Sequence, residues 1–328
     1  MSALPHARVV PFLNIGEFLG LAKRSSPARD DRQKIQRWAS LLLEHSVKRF
    51  GAHQPHLIDE RLQTLAERHP NFAEVIDWIS AELAFAHAAG EGLSFVRAML
   101  VGAAGTGKTT FSLELAKVLS LPAEVICMNN LQTAAALAGT ERHWANSEPG
   151  AVFRLLARSP VINPVMVLDE IDKVQGYSGR DPLNALYTLL ERRTAQRFAD
   201  TALPDVHFNA SRVNWIATAN SMDMLGTPLT SRFTVFSVRK LNRDEMAAMI
   251  SRMYRELLDA HPAVRARMDV ELPDHATHVL LGLLENGRDV DRLLRMLIGH
   301  ALKTGQSTIT AQHLPAIPSR RHSTVGFV

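Results

Sequence analysis

Residues Gly102 to Thr109 read Gly-Ala-Ala-Gly-Thr-Gly-Lys-Thr, a complete G-x-x-x-x-G-K-[ST] phosphate loop set between the apolar run Val96 to Val101 and a helix-like segment from Thr109. The glycines free the backbone to wrap phosphates with its N–H groups, and the helix that follows aims its positive dipole end at the same anion. A nucleoside triphosphate with Mg²⁺ is therefore the expected ligand. The expected contacts are Gly102, Ala103, Ala104, Gly105, Thr106, Gly107, Lys108, Thr109 and Thr110, with Lys108 bridging the β- and γ-phosphates and the Thr109 hydroxyl holding the metal.

A loop of this kind needs a parallel sheet behind it, and the chain supplies short apolar runs alternating with helical periodicity. Phe95 to Val101, Val125 to Met128, Val165 to Leu168, Val213 to Ala217 and Thr234 to Val238 read as strands buried on both faces. The first hundred residues read as mostly helical. Ile35, Trp38, Leu42 and Val47 recur near helical spacing across Asp31 to Phe50, and Leu57 to Glu67 and Phe72 to His87 repeat the pattern. Before them, prolines at 5, 11 and 27 and the patch Lys23-Arg24-Ser25-Ser26 suggest a loose arm. Beyond Leu241 the strand signals fade; Asn242 followed by Glu245 marks a helix start, and Asp289 to Leu302 a further helix.

Composition narrows the setting. A chain of 328 residues with 46% hydrophobic content has room for several units. No apolar stretch approaches the roughly 20 residues of a spanning helix, so no membrane association is expected and a cytoplasmic location follows. The one cysteine, Cys127, is expected to be a buried strand residue, and a net charge of +4 without a basic block does not by itself argue for nucleic acid.

A second chemical signal is Val165-Met166-Val167-Leu168-Asp169-Glu170, an apolar strand delivering two carboxylates at its C-terminal end, 61 residues after Lys108. Ligands of open parallel sheets bind at that end. Asp169 is placed to hold the magnesium and Glu170 to polarise the attacking water. Trp215 to Asn220 is a strand ending in an amide that can reach the γ-phosphate or its water. Twelve residues on, Arg232 sits just before the next strand as a guanidinium for phosphoryl transfer.

Together these stretches resemble an AAA+ ATPase, and within that superfamily the ATPase module of Lon proteases. Leu168-Asp169-Glu170-Ile171-Asp172-Lys173 is similar to Lon's Walker B segment. Asp181-Pro182-Leu183-Asn184-Ala185-Leu186 resembles its Asp-Pro-x-x-Ala-Leu helix start, Ile216 to Asn220 its sensor strand, and Pro228-Leu229-Thr230-Ser231-Arg232 its arginine-finger loop. The resemblance implies a five-stranded parallel sheet, a helical lid and a homo-oligomer in the form of a hexameric ring, with Arg232 acting on the neighbouring subunit's nucleotide. It also implies a second sensor from the lid, which Arg288 fits, with Arg292 as the alternative.

The domains then divide as 1–68, an arm and helical extension; 69–239, the nucleotide-binding α/β domain; 240–317, the lid; and 318–328, a tail. Gly139 to Gly150 occupies the place of Lon's pore loop, and Trp144 takes the position of the aromatic residue that grips a polypeptide. An indole would equally stack on a nucleobase, and a Trp anchoring its loop to the domain surface is the plain alternative. Ala145 departs from the bulky apolar residue of the family. Lon's Ser-Lys peptidase dyad would follow the lid, and eleven residues remain after Ile317, so the expectation is a motor without intrinsic proteolysis. Such a motor would remodel a protein substrate or serve a separately encoded partner; a nucleic-acid-associated AAA+ machine is the alternative.

Overall fold

The computed structural model describes residues 9–14, 16, 20, 38, 47–51, 55–130, 134–140, 147–174, 182–283 and 289–314. These divide into two compact units, one running to Val238 apart from Ala104–Gly107, the other comprising those four residues and the chain from Arg239 onward. Among the described residues no helix is long and apolar enough to cross a membrane.

Nine strands are described in the first unit. Two belong to the N-terminal arm, β1 (Val9–Pro11) and β2 (Val47–Arg49), which pair antiparallel. Five form the parallel sheet that the apolar runs predict: β3 (Arg97–Val101), β4 (Ala123–Cys127), β5 (Val165–Asp169), β8 (Asn214–Ala219) and β9 (Thr234–Ser237), in the order β4-β5-β8-β3-β9. The last two, β6 (Phe198–Asp200) and β7 (Leu203–Phe208), form an antiparallel hairpin that the sequence pattern does not announce.

Alternation along the strands feeds two cores. Val165 and Val167 of β5, with Ala98 and Leu100 of β3, join one cluster, while Met166, Leu168 and Met99 join the other. Both faces are therefore covered, as a parallel sheet requires. Helices α1 (Pro55–Arg68), α2 (Ala73–Ala88) and α3 (Lys108–Val118) fill the first face with Leu62, Ile79, Phe111 and Leu115, and Phe72 stacks on Phe111 at 4.1 Å. Helix α4 (Ala151–Arg158), the hairpin and the arm fill the second through Phe153, Phe208 and Phe12. The edge strands are less covered than the central ones: Cys127, expected to be buried, is exposed at the end of β4, because an edge strand has a neighbour on one side only.

The arm also departs from expectation. Phe12, Leu13 and Trp38 are buried, and the Phe12 ring lies 5.5 Å from Phe208 and 6.1 Å from Phe153. Backbone bonds fix it in place, with Asn209 N donating to Phe12 O at 2.7 Å and Ile162 N to Arg49 O at 2.9 Å. The apolar spacing read as helix around Val47 belongs to a short strand, since tertiary pairing overrides local periodicity in so short a segment. Lys48 is carried inside with it. Its ammonium donates to Ser159 O at 2.5 Å and stands 5.2 Å from the Phe12 ring centroid.

The second unit is helical: α5 (Arg243–Asp259), α6 (Asp274–Leu283) and α7 (Val290–Lys303) enclose Ile250, Tyr254, Leu258, Leu280, Leu294 and Leu297. The helix start read at Asn242 is a reciprocal capping box, in which Glu245 N donates to Asn242 Oδ1 at 2.9 Å and Asn242 N to Glu245 Oε2 at 2.8 Å.

Burial lowers the Lys48 pKa from 10.5 to about 8. Between those values the unfolded chain holds a proton that the folded chain has released, so stability rises with pH from about 8 and this contribution is complete above 10.5. Lys48→Met should remove that increment: the difference in denaturation midpoint between wild type and variant should shift in favour of wild type as pH rises from 8 to 10. A difference independent of pH would contradict a buried amine.

Candidate nucleotide site

Sheet order determines which side chains meet. Strand β8 lies between β3 and β5, so the residues at its carboxyl end stand between the phosphate loop and the acid pair. Gly102 N donates to Ala219 O at 3.1 Å, and a Cβ on Gly102 would lie 2.2 Å from Val238 O, so no other residue fits there. Gly105 and Gly107 take φ of 79° and 88°, the left-handed region that glycine enters without strain.

Lys108 opens α3 and is almost fully buried. Its Nζ donates to Gly102 O at 2.6 Å, Ala103 O at 3.0 Å and Asn220 Oδ1 at 3.1 Å. The ammonium thus rests on neutral oxygens that an anionic phosphate would outcompete. Thr109 Oγ1 donates to Asp169 Oδ1 at 2.6 Å, and Thr218 Oγ1 donates to the same oxygen at 2.7 Å. Thr218 Oγ1 in turn accepts from Glu170 N at 2.9 Å. Glu170 has φ 57° and ψ 49°, left-handed for a residue with a side chain, and the Thr218 hydroxyl holds its amide in that turn. Its carboxylate accepts from Asn129 Nδ2 at 2.8 Å, and Asn220 N donates to Asp172 Oδ2 at 3.1 Å.

The structure therefore brings together Gly102, Ala103, Lys108, Thr109, Asp169, Glu170 and Asn220. Thr110, one residue further along α3, is exposed. Arg232 is not among them. It precedes β9, whose first residue is level with Ala98 near the amino end of β3, whereas the phosphate loop follows the carboxyl end. There its Nη1 donates to Pro228 O, and its guanidinium lies 5.4 Å from the Tyr187 ring centroid. Trp144 and Arg288 lie outside the described residues.

Three contributors are not singled out by sequence reasoning. Asn129 and Asp172 flank the acid pair, and Thr218 is an unremarked member of its strand. Asn129 carries a signal of the same kind as Asn220, a polar amide just past an apolar strand at the carboxyl edge.

The donor set fits magnesium with a triphosphate. A hydroxyl and a carboxylate 2.6 Å apart are hard oxygens that form an incomplete shell, which is how magnesium is held when phosphates and water supply the rest.

Residues 98–241 match the sequence profile of the ATPase family associated with various cellular activities (AAA). The chain carries an AAA module. It is 30% identical over 229 residues to the Lon protease of Clostridium beijerinckii, a match covering 70% of this chain and 28% of that protein. It is 32% identical over 184 residues to the mitochondrial Lon protease homolog of Ostreococcus lucimarinus, covering 56% of this chain and 19% of the homolog. The matched stretches of this chain thus span less than a third of the length of these relatives. Among solved structures, a mutant form of Thermotoga maritima RuvB superposes with a TM-score of 0.51 at 19% identity, covering 73% of this chain and 67% of that one. At that identity the likeness is one of fold.

Thr218→Val tests the hydroxyl that joins the two acids of this AAA module. Losing two hydrogen bonds, one to a charged group, costs roughly 1–3 kcal/mol, so ATP turnover should fall by about tenfold or more while Thr218→Ser retains it. Equal turnover in the Val and Ser variants would remove the relay from the site.

Proposed function

We propose that this chain is a Mg²⁺-dependent ATPase acting as a ring of identical subunits, hexameric as the Lon resemblance implies, and that it uses hydrolysis to thread or remodel a polypeptide. The observation that carries the ATPase reading is the continuous chain of contacts from Thr109 through Asp169 and Thr218 to Glu170, beside the Lys108–Asn220 pair. In this reading Lys108 exchanges its neutral acceptors for the β- and γ-phosphates. Thr109 and Asp169 hold the magnesium, which supplies charge neutralisation on the transferring group. Glu170 accepts the proton of the attacking water as that water adds to the γ-phosphorus and ADP departs. Asn220, tethered through its backbone to Asp172, orients the same water.

Arg232 supports the oligomer. A guanidinium at the amino end of β9 is remote from the phosphate loop of its own sheet, so its use in phosphoryl transfer is on a neighbour's ATP. A lid arginine, Arg288 or Arg292, would complete the site as the resemblance implies. The polypeptide reading rests on Trp144 in the segment similar to Lon's pore loop, where an indole gives broad apolar contact without sequence preference. The peptidase of the Lon relatives plays no part in this proposal.

Glu170→Gln should keep ATP binding and lower turnover by roughly 10²–10⁴, the usual loss for one positioned base, as read by filter binding beside phosphate release. Turnover at the wild-type rate would remove Glu170 from this role. Unfolded casein should stimulate the wild-type ATPase, and Trp144→Ala should abolish that stimulation. Stimulation by DNA or RNA and not by casein would favour the nucleic-acid machine.

A further inference from the structure

Arg232 has a second guanidinium beside it. Arg97 opens β3 next to Ala98, which is level with Thr234 of β9, so Arg232, two residues before Thr234, comes up at the same amino edge of the sheet. Both lean on one turn of the helix Asn184–Leu189: Arg97 Nη1 donates to Leu190 O at 2.9 Å just past its end, and the Arg232 guanidinium stands over Tyr187, 5.4 Å from the ring centroid. Arg97 has a ring of its own, Phe95, at 4.9 Å. Phe95 takes φ 62°, a left-handed backbone that a residue with a side chain adopts only under constraint, and it is the ring beneath Arg97 that is so held.

Three observations make this pair an anion receptor. The two like charges are near enough to feel each other, since the Arg97 pKa is lowered by burial, raised by the Glu191 carboxylate and lowered again by the Arg232 guanidinium. Among the described residues neither guanidinium forms an ion pair; each is held by a neutral carbonyl and an aromatic face, which fix the planar fork without cancelling its charge. Arg232 Nε is buried with no hydrogen-bond partner among the described residues. An anion with several oxygens between two such forks turns their repulsion into attraction. A cap on Leu190 O explains one hydrogen bond of Arg97 and none of its charge, because a glutamine would serve as well.

We propose that Arg97 is a second guanidinium of the shared site: with Arg232 it grips the γ-phosphate of the ATP held by a neighbouring copy of this chain, with the helix Asn184–Leu189 as their common support. This rests on the role given to Arg232 above. The carboxyl edge of the sheet carries Asp169, Glu170 and Asp172 beside the phosphate loop, so the amino edge of one copy and the carboxyl edge of the next are opposite in charge, as a head-to-tail contact uses. The γ-phosphate is the group on which charge develops in the transfer, and the one that ADP lacks.

The test takes Glu170→Gln as parent, since it should hold ATP without consuming it, and adds Arg97→Gln, Arg97→Lys or Arg232→Ala. Sedimentation velocity with Mg²⁺ and either ATP or ADP reads assembly of the whole chain. The parent should assemble at lower protein concentration with ATP than with ADP. Arg97→Gln, which can still donate to Leu190 O, should need roughly tenfold more protein with ATP, no more than the parent with ADP, and melt near the parent; Arg232→Ala should behave alike, and Arg97→Lys, keeping the charge without the fork, should fall between. With Glu170 intact, Arg97→Gln should lower kcat about tenfold and leave KM for ATP within about twofold. Equal losses with ATP and ADP would make Arg97 a structural cap and overturn the inference. Arg97→Gln behaving like its parent while Arg232→Ala fails would overturn it and leave the role of Arg232 standing; a parent that gains nothing from ATP over ADP would overturn both. DNA or RNA binding that Arg97→Gln abolishes while ATP-driven assembly stays intact would assign the pair to nucleic-acid phosphates and overturn it as well.

Discussion

Asp169 Oδ1 accepts two hydroxyl hydrogen bonds, from Thr109 at the start of the helix after the phosphate loop and from Thr218 on the central strand. Everything else in the nucleotide site is arranged around that oxygen. It can be reached from both sides only because β8 is inserted between β3 and β5, and that order requires two buried faces and the crossover helices that cover them. Thr218 then passes the constraint on, since the hydroxyl that donates to Asp169 also receives the Glu170 amide and holds it in a left-handed turn. A substitution at β8 would thus reach both acids without touching either.

Much of this is legible in the sequence, for a physical reason. Strands buried on both faces must be continuously apolar, so their ends are marked by the first polar residue, and in a parallel sheet those ends share one edge. Lys108, Thr109, Asp169, Glu170 and Asn220 follow from that logic together with the phosphate-loop motif. The same logic reaches Asn129, which escapes notice because a terminal amide also suits a turn. The β6–β7 hairpin is hidden because Leu203 to Phe208 carries Pro204, Asp205 and His207, an edge-strand composition with little apolar pattern. The arm misleads for the opposite reason: Phe12 follows Pro11 in a stretch without sustained periodicity, and only tertiary packing reveals it as core. Cys127 reads as interior from its apolar neighbours, although the strand holding it lies at the sheet's edge.

The arm, the hairpin and α4 form one aromatic cluster on the second face, with Phe12, Phe153, Phe198 and Phe208 at centroid separations from 5.3 to 6.1 Å. Aromatic pairs at such spacings add about 0.5–1.5 kcal/mol each beyond burial. Two of its elements meet at Gly150, whose N donates to Asp200 Oδ2 at 2.8 Å, because α4 begins at Ala151 and β6 ends at Asp200.

Lys108 and Arg232 stand at opposite ends of the sheet, so the proposed division of labour between them needs two subunits. Lys108→Ala has a sound arginine and an impaired phosphate site; Arg232→Ala has the reverse. Each alone should hydrolyse ATP poorly, since a guanidinium acting as proposed for Arg232 is worth about 10³–10⁵ in related phosphoryl transfers. Co-assembled, they should regain turnover at interfaces where an intact Arg232 meets an intact Lys108 site. A co-assembled mixture as inactive as its components, or a fully active Arg232→Ala monomer, would contradict a site shared between subunits.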